Sequence, residues 1–215
     1  RRGGAPVCGI VHTAAFQALW RMTPEATGDY LAWTQRLLVI EGIVSLLAAV
    51  VVWVGLGMIA KLPPARTPAH SAIGLSVVGE VIGWGWYLWA WLGAPEAGDF
   101  FQSPGGLGYS LVLRACIWGA AVFQVVSCER GADALGHRHG SALRQGVIAC
   151  AAISIVMVVA RYALRPDFEA GDFDIESYGQ TMLYLNLVSI VVSLTANIVV
   201  MVAALRLTKA AKHPF

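Results

Sequence analysis

We single out three ionisable residues inside long apolar stretches of this sequence: Glu41, Glu80 and Arg114. A charged side chain at the centre of a bilayer costs about 3 kcal/mol on insertion scales, so such residues usually face a bundle interior and find partners there. Depth counted at about 1.5 Å per residue places Arg114 between the two carboxylates, and either acid could pair with it. The excess carboxylate could titrate near neutrality when desolvated. We favour a structural Glu–Arg pair that fixes helix register, and the alternative is a proton or cation pathway with Glu80 as its mid-membrane protonatable site.

Four polar residues near the end of the chain follow the spacing of a single helix face. They are Asn186, Ser189, Ser193 and Asn197, at i, i+3, i+7 and i+11. Such a face can line a water-filled path, or it can supply hydrogen bonds between helices that are worth about 0.6 kcal/mol each. We favour hydrogen bonding between helices, with Gln124 as a candidate partner.

An aromatic cluster ends the second apolar stretch, and its members are Trp84, Trp86, Tyr87, Trp89 and Trp91. Trp and Tyr prefer the headgroup level of a bilayer, so an interfacial anchor is the favoured interpretation. The alternative is a flat aromatic face against a partner helix, a lipid, a quinone or a pigment. The cluster occupies two helical faces, which suits a belt, or a helix packed on more than one side, better than a single ligand slot.

Other residue patterns give little support for metal or catalytic chemistry. None of the five histidines lies inside a stretch that we assign to the membrane, which disfavours a haem held between helices. We interpret the His137-Arg138-His139 segment and the acidic segment 165–181 as solvated, since the latter lacks the glycine and spacing of an EF-hand. The chain has no H-E-x-x-H, G-x-S-x-G or P-loop motif. We therefore predict no metal site and no catalytic residue. The sequence implies no particular cofactor, and we expect bound lipid.

Five apolar runs supply the elements that position these residues. A hydrocarbon core of about 30 Å needs roughly 20 helical residues, and each run meets or nearly meets that length. The runs are Leu37–Ala60, Ser71–Leu92, Leu107–Ser127, Gly146–Leu164 and Met182–Leu205. We predict one all-α domain over residues 1–215, a polytopic membrane protein with a bundle of about five transmembrane helices. Residues 1–36 are predicted to form an N-terminal interfacial segment.

Composition excludes several classes of protein. The chain is 57% hydrophobic and only 13% charged, whereas globular chains carry about 25% charged residues. The net charge of +2 and the absence of a Lys/Arg tract with interleaved aromatics exclude a nucleic-acid partner. The four cysteines form no C-x-x-C pair, so a disulfide framework or thiolate metal site is not expected.

The charges between the runs predict an orientation. The predicted connections are 61–70, 93–106, 128–145 and 165–181. Lys and Arg dominate the first and third connections and the C-terminal tail, whereas acids dominate the second and fourth. Because basic residues collect on the cytoplasmic side, we place the C-terminus in the cytoplasm or an organelle matrix, with the acidic connections opposite. The membrane would be a bacterial inner membrane or the inner membrane of an organelle.

Prolines and the N-terminus refine this topology. Pro63, Pro64 and Pro68 are predicted to end the first span and to form a short, stiff connection. Pro104 and the two glycines after it are assigned to the second connection. Five spans put the N-terminus outside, where Arg1 and the following Arg residues are unexpected, so we expect a cleaved signal or an earlier span upstream.

The functional prediction is a non-enzymatic membrane subunit that packs against other membrane proteins, for assembly, stabilisation or docking. Its basis is the Gly79-x-x-x-Gly83 spacing, aromatics on two faces, and many polar residues without a recognisable site. The first alternative is a small transporter or proton channel that uses the intramembrane carboxylates, Arg114 and the polar stripe of the last span. The second alternative is an enzyme or redox subunit that handles a lipid-soluble substrate.

Overall fold

The computed structural model describes residues 24–91, 100, 103–137, 140–164 and 175–212, with side chains described in these ranges except at 24–39, 41, 86, 87, 89–91 and 175–178. The described residues form five α-helices and contain no strand, which confirms the predicted all-α class. The helices are α1 (Pro24–Ile59), α2 (Pro63–Trp91), α3 (Pro104–Ala134), α4 (Ala142–Ala163) and α5 (Ile175–Lys212).

Four of these helices are long and apolar enough to cross a membrane, as expected of a multi-pass membrane protein. The qualifying segments are Gly42–Ile59 in α1, Pro104–Ala134, Ala142–Ala163, and Gly179–Lys212 in α5. Helix α2 corresponds to the second predicted span, but it is not one of the four helices whose described residues are long and apolar enough to cross a membrane. That α2 also crosses the membrane stays a prediction.

The helices extend well beyond the apolar runs from which they were predicted. Helix α1 begins at Pro24 rather than at Leu37, so the last third of the predicted interfacial segment is already helical. Residues 1–23 of that segment lie outside the described residues. Backbone hydrogen bonding in a helix does not require apolar side chains, so the runs mark the membrane-facing part of each helix and not its ends.

The prolines of the first connection begin a helix instead of ending one, which corrects the prediction. Helix α1 ends at Ile59, and α2 starts at Pro63, so the connection is only residues 60–62 and not 61–70. Pro63 and Pro64 occupy the first turn of α2, where the missing N–H would have no helical partner in any case. Pro68 lies inside α2.

The second and third predicted connections were also too long. Helix α3 starts at Pro104 because the Ser103 side chain caps it, accepting a hydrogen bond from the Gly106 amide at 3.2 Å. The same helix continues to Ala134. Two residues beyond this end, Gly136 has a left-handed φ of 82° that turns the chain out of the helix, and the His137 amide donates back to the Ala132 carbonyl.

Helix α3 is central, because it contacts all four other helices. Helices α2 and α3 run antiparallel, because Gly79 lies beside Cys116 whereas the earlier Leu75 lies beside the later Gly119. A Cβ at Gly79 would lie 3.4 Å from the Cβ of Cys116, and a Cβ at Gly119 would meet Leu75. Gly79, the first glycine of the G-x-x-x-G spacing, therefore packs against α3. A Cβ at the second glycine, Gly83, would meet nothing within 4 Å.

The opposite side of α3 packs on α4 and α5 around a buried apolar core. Core residues are Trp118, Ala121, Val125 and Cys128 of α3, Val147 and Cys150 of α4, and Val192, Ala196 and Ala203 of α5. Their spacing of three and four residues defines what we call the seam of each helix. The bundle thus consists of two layers, α1–α2–α3 and α3–α4–α5, that share α3. We call the end of the bundle that contains Trp91, Pro104 and Ala163 the acidic end, after the predicted acidic connections.

Candidate functional site

Glu80 is half-buried between α1 and α2. The hydroxyl of Ser45 in α1 donates a hydrogen bond of 3.4 Å to its Oε1 atom. This places the carboxyl group on the α1 side of α2, one residue away from Gly79, which faces α3. The structure therefore brings Glu80 together with a hydroxyl that the sequence analysis had not singled out.

Within the aromatic cluster, the described side chain is that of Trp84. The ring of Trp84 packs on α1, because a Cβ at Gly42 would lie 3.0 Å from two carbon atoms of its indole. Trp84 is half-buried, so it serves helix packing as well as any interfacial role. The side chains of Trp86, Tyr87, Trp89 and Trp91, and that of Glu41 in α1, lie outside the described residues.

Arg114 lies on the seam of α3, at the spacing that continues through Trp118, Ala121 and Val125. At about 100° per residue, it is about 160° around the helix from Cys116, which faces α2. Arg114 and Glu80 are thus nearly level along the bundle but on different sides of α3. No ion pair or hydrogen bond joins Arg114 to another residue in the described part of the chain.

A further arginine, Arg161 in α4, makes polar contacts with two side chains of α5. Its Nη2 atom donates to Oδ1 of Asn186 at 2.6 Å and to Oγ of Ser189 at 3.2 Å. Sequence analysis missed Arg161, although it falls within the predicted fourth span. The signal was its spacing from Val147, Cys150 and Ser154, because steps of three and four residues place it on the buried face of α4.

The polar stripe of α5 is divided in the structure. Asn186 and Ser189 bind Arg161, whereas no hydrogen bond is formed by the side chains of Ser193 and Asn197, which are both half-buried, within the described residues. Gln124 is 3% exposed and its Nε2 atom has no hydrogen-bond partner among those residues, so the predicted bond to the stripe is not observed.

Two separate polar groups result, one on each side of α3. Glu80 and Ser45 lie between α1 and α2, and Arg161, Asn186 and Ser189 lie between α4 and α5. The first can hold a proton on a carboxylate, and the second can hold an anion on a guanidinium. Within the described ranges, no group of three or more His, Cys, Asp or Glu could hold a metal ion. Comparison of the chain with protein-family models, with curated proteins and with solved structures gives no match.

Proposed function

We propose that this chain is a non-enzymatic subunit of a larger membrane complex, and that it packs against a helix of another membrane protein through α2. The observation that carries this proposal is an exposed face of α2 on which two glycines recur. Five exposed residues form this face and follow one another at steps of four and three positions: Gly74, Val78, Val81, Gly85 and Leu88.

The spacing of this face matches that of a helix–helix interface. Helices pack through residues that recur every three or four positions, and small residues among them let two backbones approach closely. A Cβ at either Gly74 or Gly85 would meet nothing within 4 Å, so these glycines are not required by contacts inside the bundle. Glycine within a helix costs about 0.5–1 kcal/mol relative to alanine, and a close partner helix offsets that cost.

The division of the polar residues also supports a subunit over a transporter. A transport path needs groups that follow one another across the membrane, within reach of a common cavity. Here Glu80 and Ser45 are separated by α3 from the polar contacts between α4 and α5. Those contacts join helices to each other, as expected of polar residues that stabilise a bundle.

The proposal is tested by extracting the chain from its native membrane in mild detergent and measuring its size on native gels. We expect a complex larger than the monomer, with a second protein in stoichiometric amount. Substitution of both Gly74 and Gly85 by leucine fills open space and should release the folded monomer. Gly57 of α1 is also exposed with open space at its Cβ, so Gly57→Leu is the matched control and should leave the complex intact.

Two results would contradict the proposal. A wild-type chain that migrates only as a free monomer rules out the subunit role. A complex that survives the Gly74→Leu/Gly85→Leu double substitution unchanged rules out this face of α2 as the contact.

A further inference from the structure

We propose that Arg114 and Arg161 together form a binding site for a phosphate group at the acidic end of the seam between α3, α4 and α5. This site goes beyond the proposed subunit role and does not depend on it. Both arginines occupy seam positions, Arg114 at the step before Trp118 and Arg161 two steps after Ser154. Their side chains therefore start from helix faces that turn toward the same three-helix layer.

Helix register brings the two arginines to nearly the same level. Helices α3 and α5 run parallel, and a Cβ at Gly131 would lie 3.1 Å from Leu207. Counting back along both helices from this contact places Arg114 level with Ile190, beside Ser189. Ser189 accepts a hydrogen bond from Arg161. The Arg161 guanidinium group and the backbone of Arg114 therefore lie close to the same level along the bundle.

The charge balance of Arg114 points to an anionic ligand. A guanidinium stays charged at every physiological pH, and a charge placed in a membrane bundle needs a counter-charge or hydrogen-bond acceptors. Arg114 is half-buried and has neither within the described ranges. One turn deeper on the same face, Trp118 is 6% exposed, and its indole N–H also has no acceptor in this part of the chain. An anion bound at the seam supplies a counter-charge for Arg114 and a hydrogen-bond acceptor for the indole of Trp118.

The depth of Arg161 in the membrane favours phosphate over other anions as the ligand. Helix α4 has 22 residues, so it is about 33 Å long and close to the thickness of a hydrocarbon core. Arg161 stands two residues before the end of this helix, near the headgroup level where lipid phosphates lie. Arginine is suited to phosphate because its planar fork donates two parallel hydrogen bonds. A phospholipid headgroup and free phosphate share this chemistry.

The test uses the purified full chain and three probes: phosphatidylglycerol, phosphatidylcholine and inorganic phosphate. Lipid binding is titrated by native mass spectrometry, and phosphate binding by thermal stabilisation against sodium chloride at equal ionic strength. We expect the wild type to bind at least one of the two phospholipids or inorganic phosphate, and Arg114→Gln to weaken that binding about tenfold or more. Arg144, which is exposed at the opposite end of the bundle, gives the control Arg144→Gln, which should bind like the wild type.

The probes separate the two sources of phosphate. Lipid binding that millimolar inorganic phosphate does not displace identifies a lipid site, and displacement identifies a site for free phosphate. Arg161→Lys keeps the charge but loses the fork, so it should weaken binding several-fold even if Arg114→Gln does not fold. The proposal is overturned if no probe binds the wild type, or if neither arginine substitution changes the affinity.

Discussion

The Nη2 atom of Arg161 lies 2.6 Å from the Oδ1 atom of Asn186, and this hydrogen bond ties the end of α4 to α5. Charge-assisted hydrogen bonds are roughly twice as strong as bonds between neutral groups. The bond lies on the seam, where both side chains are half-buried and water competes less for either group. It is therefore the polar contact on which we expect the α4–α5 pairing to depend most.

Asn186→Leu should lower the stability of the bundle by about 1 kcal/mol, because it removes an acceptor of the Arg161 Nη2 atom. For a chain of this size, the apparent unfolding temperature should fall by about 2–4 °C. Thermal unfolding in detergent at one fixed scan rate measures this change.

The same polar stripe offers the control for this substitution. Asn197 is also a half-buried asparagine of α5, but its side chain makes no hydrogen bond within the described residues. Asn197→Leu should leave the unfolding temperature unchanged or raise it. Equal losses in the two variants would show that the Arg161 contact adds no stability.

The chain's polar contacts show what the sequence can and cannot predict. The spacing of Asn186 and Ser189 predicted a hydrogen-bonding face on a helix, and both residues do bond to a neighbouring helix. Counting residues at a fixed rise predicted that Arg114 lies at a depth between Glu41 and Glu80, from which either carboxylate could pair with it. Counting gives only the level of a residue along the bundle. The side of α3 on which Glu80 lies depends on which face of α3 packs against α2. That face follows from Gly79 packing on Cys116, a tertiary contact.

Helix ends were the least predictable feature, for a physical reason. Hydropathy marks the part of a helix that avoids water, whereas the end of a helix depends on capping and backbone conformation. Ser103 and Gly136 carry that local information in this chain. The sequence analysis assigned Ser103 and Gly136 to the connections between helices. A search for a capping serine and a left-handed glycine would have predicted the two ends of α3 more accurately.

Gly79→Leu should destabilise the bundle by about 1–3 kcal/mol, since a larger side chain at this position has to displace Cys116 and α3 behind it. Gly83 is four residues further along α2, and its Cβ would face open space. Gly83→Leu should therefore change stability by less than about 0.5 kcal/mol. Unfolding temperatures of the two variants, measured side by side, decide whether one or both glycines of the G-x-x-x-G spacing pack inside the bundle.

Gly136→Ala should cost about 1 kcal/mol, because alanine strains the left-handed backbone that ends α3. The expected loss is about 2–4 °C in unfolding temperature. Gly140 lies in the same connection without a positive φ, so Gly140→Ala should be neutral. A loss of the same size in both variants would mean that the connection tolerates no side chain at either position.

Glu80→Gln should not change proton flux in proteoliposomes, and the wild type should show the same flux as protein-free vesicles. The reason is the position of Glu80: its carboxyl group accepts from Ser45 between α1 and α2, while α3 separates it from the polar contacts of α4 and α5. Glutamine keeps an oxygen that can accept from Ser45, so the variant should fold and insert like the wild type.

A pH-sensitive dye trapped inside the vesicles measures the flux after an acid pulse. Glu129→Gln removes a carboxyl group in a different helix, α3, and controls for general effects of charge. If the wild type conducts protons and only Glu80→Gln abolishes this flux, the result favours a proton channel and contradicts the subunit role. A carboxyl group that only stabilises the bundle does not control proton flux.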